Sequence, residues 1–338
     1  MPIQGFIRFR RHQVGKETNF SSNTPATRRL PFRGPIVVEP NRTTPDVDTG
    51  SLDPWLPAFA GATDVTGTWD GKQAINDMPW IYGLGLKGGV TATGGPAYSY
   101  VFQAASLTAD PFDTVTDEWS DDVSSDSIVG AGGVINSWTE TFGEDLAAFD
   151  VSAELYYAKA TYGAGLTANI NVDETPEWAY GAHTVIYMDS NPAAIGITPL
   201  LDAVHGATYA VNNNLDRKRY AEGSNSGWIL QGYGRGPREL EFTVRLAKTT
   251  ESVAEAQTLD DTPVPTRYFD VKTTSTELIT GTATPHSISR RFAAELIGRS
   301  DSEIGGNSVI ELRYRGRYDS TLGYALRNVV VCSSNAFG

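Results

Sequence analysis

The chain has a single cysteine, Cys332, with four histidines and three methionines among 338 residues. One thiol excludes an internal disulfide framework and a cysteine-based zinc site, so the compartment is reducing or redox does not matter. His12, His183, His205 and His286 lie too far apart for a ligand cluster. No H-E-x-x-H, P-loop or serine nucleophile elbow occurs, and GSNSG at 223–227 has asparagine where an elbow needs serine. No apolar run is long enough for a secretory signal or a membrane span. The sequence therefore predicts a soluble, unexported, non-enzymatic product, with no cofactor, no catalytic or metal residues and no membrane insertion.

What is present points to β structure. With 34 Gly, 18 Pro and 40% hydrophobic residues, the composition fits strands joined by many turns better than a helical bundle. Charge is uneven. Residues 1–42 carry eight Lys and Arg against Glu17 and Glu39, a net of +6, which leaves −19 on the remainder of a −13 chain. Such a basic arm either binds nucleic acid or docks on the acidic body of another copy; no nucleic-acid fold signature accompanies it, which favours docking.

The most regular segment is Gly133 to Ala160, two alternating runs joined by a Gly-Glu-Asp turn. In the second run Ala147, Phe149, Val151, Ala153, Leu155 and Tyr157 fall on one side, and Asp150, Ser152 and Glu154 on the other. Residues 17–66 read as extended arm and loop, apart from a short strand at 35–39. A brief helix is expected over 70–83 and a strand over 97–104. In the second half strand 239–247 precedes a helix over 250–259. Strands follow over 267–273, 287–297, 308–318 and 324–332. The order strand, helix, strand, strand, long alternating strand thus occurs twice, with a linker near 173–177 and a strand over 183–188 opening the second half. Segment 195–204 reads as a helical turn or loop.

Several motifs are weaker. The stretch Asp110 to Asp126 holds seven acids, Asp117, Glu118, Asp121 and Asp122 among them, and reads as a solvated loop or a docking surface, without EF-hand spacing. GYGRGPR at 232–238 precedes a strand, so it reads as a loop or hairpin bend, not a phosphate cradle. Glu140 and Glu144 could be posed as a glycosidase pair. Arg313, Arg315 and Arg317 form a basic ladder, which on a wet sheet face usually pairs with acids on an adjacent strand.

Three segments carry a family resemblance: VGKETNFSSNTPATRRLPF near the N-terminus, PWIYGLGLKGGVTATGGPAYSYVFQAA, and the hairpin GGVINSWTETFGEDLAAFDVSAELYYAKA. Together with RELEFTVRLA and GNSVIELRYRGRYD in the second half, they resemble the major tail tube proteins of long-tailed, non-contractile bacteriophages. The resemblance implies a mainly β chain with two tandem β-sandwich tube domains, each flanked by a short helix. Their strands would join neighbouring subunits in a continuous β-barrel ring. The expected division is residues 1–66 as arm and extended loops of the first tube domain, 67–175 as its body, and 176–338 as the second tube-like domain.

The resemblance further implies a virion tail protein assembled in the host cytoplasm into stacked rings, trimeric (pseudo-hexameric) or hexameric. Double-stranded DNA would pass through the bore non-specifically. A tape measure protein would fill it beforehand, with tail terminator and tail-tip proteins at the ends. Asp150, Ser152 and Glu154 are then candidates for the lumen. Arg8, Arg10, Arg11, Lys16, Asp117, Glu118, Asp121, Asp122, Arg313, Arg315 and Arg317 are candidates for contacts between subunits or rings, the arginine ladder facing a neighbour's acids. Other readings are a tail terminator, a capsid decoration protein, or a carbohydrate-binding β-sandwich with exposed Trp138 and Trp228.

Overall fold

The computed structural model describes residues 11–43, 59–103, 111–120, 127–143, 147–170, 176–200, 203–219 and 230–337. The first half contains β1 (Arg11–Lys16), β2 (Arg28–Arg29), β3 (Ile36–Thr43), β4 (Phe59–Lys72), α1 (Met78–Gly85), β5 (Tyr98–Gln103), β6 (Val115–Ser120), β7 (Ile128–Phe142), β8 (Asp150–Tyr157) and β9 (Lys159–Tyr162). The second contains β10 (Thr184–Asp189), β11 (Val204–Asn212), β12 (Leu215–Lys218), β13 (Gly232–Arg235), β14 (Glu239–Ala247), α2 (Thr250–Gln257), β15 (Thr266–Leu278), β16 (Pro285–Ile304), β17 (Asn307–Arg317) and β18 (Leu326–Cys332). Sixteen strands belong to one antiparallel sheet, and β12 and β13 form a separate hairpin.

The same pairing scheme occurs twice. In the first half β1 pairs with β6, β3 with β4, β4 with β8, β8 with β7, and β7 with both β6 and β9. In the second half β10 pairs with β15, β11 with β14, β14 with β17, β17 with β16, and β16 with both β15 and β18. A helix follows the first long strand each time. The long hairpins even share a bulge: Asn136 is the extra residue of β7 against β8, and Ile297 that of β16 against β17.

The halves are not separated by a gap in the sheet. β11 of the second half pairs with β7 of the first, and β18 pairs back with β5. The order β3-β4-β8-β7-β11-β14-β17-β16 is therefore hydrogen-bonded throughout, and one apolar core runs beneath it from Val14 to Ala336. The boundary expected near residue 175 interrupts neither.

Alternation explains the central strands. Leu240, Phe242, Val244 and Leu246 of β14 are buried, with Glu239, Glu241 and Arg245 exposed. α1 has apolar residues all round and is wholly buried, with Pro79 in its first turn, where no helical N–H is needed. α2 begins with a reciprocal cap: Thr249 Oγ1 accepts from the Ser252 N–H at 3.2 Å, and Ser252 Oγ accepts from the Thr249 N–H at 2.8 Å.

Four sequence expectations need correction. The part of the arm that is described is built into the body, with β1 in the sheet and Val14, Ala26, Leu30 and Phe32 buried. The run 59–72 is the 14-residue strand β4, so the helix expected from residue 70 starts only at Met78, after a short 3-10 turn at Ile75–Asp77. The acidic stretch holds the buried strand β6. GYGRGPR contributes β13 to the small hairpin.

Cys332 ends β18 and is buried, its Sγ–H donating to the Ser334 carbonyl at 3.4 Å. Burial pushes the thiol up to about 11. Native protein at pH 8 is therefore expected to resist maleimide over hours and to take up one equivalent once unfolded, as read by intact mass. Rapid labelling of the native chain would contradict this burial.

Candidate assembly surface

Residues directly opposite one another in an antiparallel ladder share a face, so the registers trace rows across the sheet. One row runs Asp70, Ser152, Thr139, Ala210, Glu241, Arg315, Glu295 over the seven strands from β4 to β16. The row beside it runs Lys72, Asp150, Thr141, Thr208, Thr243, Arg313, Gly298. Asp150, Ser152 and Glu154 thus lie on the same wet face as Arg313 and Arg315, although they come from different halves of the chain. This continuity depends on β11, a strand that sequence patterning did not reveal.

The face is held by cross-strand polar contacts. Lys72 Nζ lies 2.8 Å from Asp150 Oδ1, and Ser152 Oγ donates to Asp70. Asn136 Nδ2 and Ser137 Oγ donate to Glu154 Oε2 at 2.9 and 3.3 Å. At the junction of the halves, Thr141 Oγ1 donates to Thr208 Oγ1 at 3.2 Å.

The arginine ladder is matched within the chain. Arg245 meets Glu311 at 2.9 Å, Arg313 meets Glu241 at 3.8 Å, Arg315 meets Glu239 at 3.5 Å, and Arg317 meets Glu295. The ladder thus has acids of its own chain beside it. Exposed pairs of this kind stabilise by only about 0–1 kcal/mol each, but they cancel the charge of the ladder. Asp70 and Glu154 are bonded to neutral groups, which leaves the face a residual negative charge among the described residues. At the rim of the same face, burial alone would raise the Asp64 carboxyl, but hydrogen bonds from Arg219 and Arg217 outweigh it and hold it below its ordinary value.

The other contact candidates are placed differently. Asp117 and Glu118 are buried in β6 and are not docking acids. Asp117 Oδ2 accepts from Trp69 Nε1 at 2.8 Å and from the Tyr157 hydroxyl at 2.5 Å, while its Oδ1 lies 2.9 Å from His12 Nε2. On the other side of the ring, His12 Nδ1 lies 3.0 Å from the Phe32 carbonyl. Burial, and then the Asp117 charge, raise the Tyr157 phenol well above its ordinary value. The tyrosine ring fits because Gly67, Gly130 and Gly133 lie under it; a Cβ on any of them would be 2.8 Å from the ring. Glu118 accepts from Gln13 Nε2 at 3.1 Å and from the Thr167 N–H at 2.6 Å.

Lys16 pairs with Asp113 at 3.0 Å and lies 4.6 Å from the centre of the Phe337 ring. Arg11 is exposed at the start of β1. Arg8, Arg10, Asp121, Asp122, Glu144 and Trp228 lie outside the described residues. Trp138 and Glu140 are both buried, which removes one half of the aromatic platform and one half of the glycosidase pair.

A buried pair that sequence reasoning missed ties the halves together under the sheet. Arg290 of β16 donates from Nε to Glu140 Oε2 of β7 at 2.7 Å, and both side chains are fully buried. Tyr82 of α1 and Trp138 Nε1 donate to Glu140 Oε1 at 2.8 and 3.2 Å. Gln73 Nε2 donates to Glu140 Oε2, while Gln73 Oε1 accepts from Arg290 Nη2 at 3.1 Å. Burial opposes charge on the guanidinium, yet the adjacent Glu140 carboxylate raises it above its ordinary value.

No protein-family model and no curated protein sequence matches the chain. Among solved structures the chain is similar to the SPP1 tail tube, determined by solid-state NMR and cryo-electron microscopy, with 17% identity over 40% of this chain and 73% of that one, and a TM-score of 0.29.

Proposed function

We propose that the chain is a structural tail tube subunit that self-associates into rings, and that the rings stack into a hollow virion tail tube through which double-stranded DNA passes. The observation that carries this reading is the twice-repeated pairing scheme, joined edge to edge in one open sheet with a single wet face. Such a chain already contains one lateral junction of a ring, and an open sheet is completed most simply by closing on further copies.

Each copy supplies eight strands to the row of the sheet, β3-β4-β8-β7 and β11-β14-β17-β16. At about 4.8 Å between strands and a tilt of about 40°, three copies enclose a barrel roughly 48 Å across between backbones, wide enough for a duplex after side chains are allowed for. Three copies with two tube domains each give the pseudo-hexameric ring. The wet face, with Asp150, Ser152 and Glu154, then lines the bore. Its arginines are neutralised by Glu239, Glu241, Glu295 and Glu311, so the lining repels phosphate weakly and does not grip it. A tape measure protein would occupy the bore before DNA, with terminator and tip proteins at the ends.

Negative-stain electron microscopy of the purified protein tests this. Hollow tubes or stacked rings with an open bore are expected at high protein concentration. A chain that stays monomeric at every concentration and ionic strength would overturn the reading.

A further inference from the structure

Two strand edges of the long sheet have no partner among the described residues, and they are the two that the repeat makes equivalent to the junction inside the chain. In that junction, β11 lays residues 207–212 against residues 142–137 of β7, with Ala210 opposite Thr139 and Asn212 opposite Ser137. β3 corresponds to β11, since both flank the first long strand of their repeat, and β16 corresponds to β7. Yet β3 pairs only with β4, and the stretch 298–304 of β16 pairs only with β17.

Matching the shared bulges, Asn136 with Ile297, sets Ser137 equivalent to Gly298 and Thr139 to Ser300. Through their partners on β4 and β14, Val37 is equivalent to Ala210 and Glu39 to Asn212. We infer that β3 of one copy pairs antiparallel with β16 of a second copy of this chain, Val37 opposite Ser300, Glu39 opposite Gly298 and Pro35 opposite Ser302, and that three copies close the ring. This rests on the ring reading above, with its three copies, and adds the edges and the register.

Side-chain chemistry supports a second copy as the occupant. Val37 and Ile297, 46% and 41% exposed, are bare apolar residues on the two open edges. Where β7 presents buried Trp138, Glu140 and Phe142 beneath the inner junction, β16 presents exposed Arg299, Asp301 and Glu303. An edge that stays open until assembly needs such charges, which suppress indiscriminate strand pairing; an edge covered during folding does not. Glu39 would lie opposite Gly298, whose missing side chain leaves Arg313 reachable: the guanidinium is 3.5 Å from where a Gly298 Cβ would stand. The carboxylate and the guanidinium are complementary across the junction.

The test is a cysteine pair, Val37→Cys with Ser300→Cys, since directly opposed strand residues are close enough for a disulfide. Both positions are exposed, so folding is not at stake, and Cys332 is buried. Protein assembled and mildly oxidised should give covalent dimers and trimers on a non-reducing gel, all reverting on reduction. An equal mixture of the two single variants should stop at dimers, because each copy then brings one thiol to one junction. Imaged tubes with no cross-link, or a disulfide closed within one chain, would overturn the junction while leaving the tube reading intact. A ladder running past three would overturn the copy number. Absence of both assemblies and cross-links would overturn the tube reading and the junction with it.

Discussion

Replacing Arg290 by methionine is expected to destabilise the fold by about 3–5 kcal/mol, because Glu140 would be left as a buried charge without its counter-ion. The carboxylate would keep Tyr82, Trp138 and Gln73 as donors, but these are neutral, and its location in the core gives water no access. Taking about 2–4 °C per kcal/mol for domains of 150–250 residues as a guide, the melting temperature should fall by on the order of 10 °C. The double variant Glu140→Gln with Arg290→Met removes both charges and should recover more than half of the loss, since a neutral amide is far cheaper to bury. Thermal melts followed by circular dichroism on the three proteins decide it. A single variant that melts within a degree or two of the parent would show that the pair does not hold the halves together.

The second large effect concerns Asp117. Asp117→Ala would strip the acceptor from Trp69 Nε1 and the Tyr157 hydroxyl at once and remove the carboxylate beside His12, all three side chains being buried. Each orphaned buried donor costs about 1–3 kcal/mol, so the sum is a large share of the roughly 5–15 kcal/mol that holds a typical domain together. The variant should be largely unfolded or insoluble. Asp117→Asn, which keeps one acceptor oxygen, should be intermediate. The control is Asp150→Ala, 69% exposed, for which a change within about 0.5 kcal/mol is expected. Urea titration checks both. If Asp117→Ala folded with parental stability and failed only to assemble, the acid would be a docking residue, as the sequence had suggested.

That contrast shows where the sequence was legible. Period-two alternation marked β8, β14 and β17 and assigned Asp150, Ser152, Glu154 and Arg313 to wet faces, because the pleat alone dictates which side a residue takes. The succession after β14 in the second half, helix and then strands, was readable in the same way, from periodicity along single segments. β6 was not, since Thr116, Asp117 and Glu118 look solvated until their buried partners are known. β4 was missed because glycine, alanine and threonine dominate it, and glycine in particular gives no strand signal. β1 was concealed by its basic flanks.

The sequence by itself determined that the chain is β-rich, built of long two-faced hairpins in two similar successions, and without a recognisable catalytic motif. Each of these is a local property, fixed by composition, by side-chain alternation along one strand, or by motif spacing. The tertiary structure alone decided that β11 joins the two halves, that the two wet faces are one face, that the arginine ladder lies beside Glu239, Glu241 and Glu295, and that Arg290 meets Glu140 across 150 residues of chain. Pairing between strands is a non-local choice: the hydrogen-bonding groups of every backbone are alike, and only the packing of the whole core selects which edges meet.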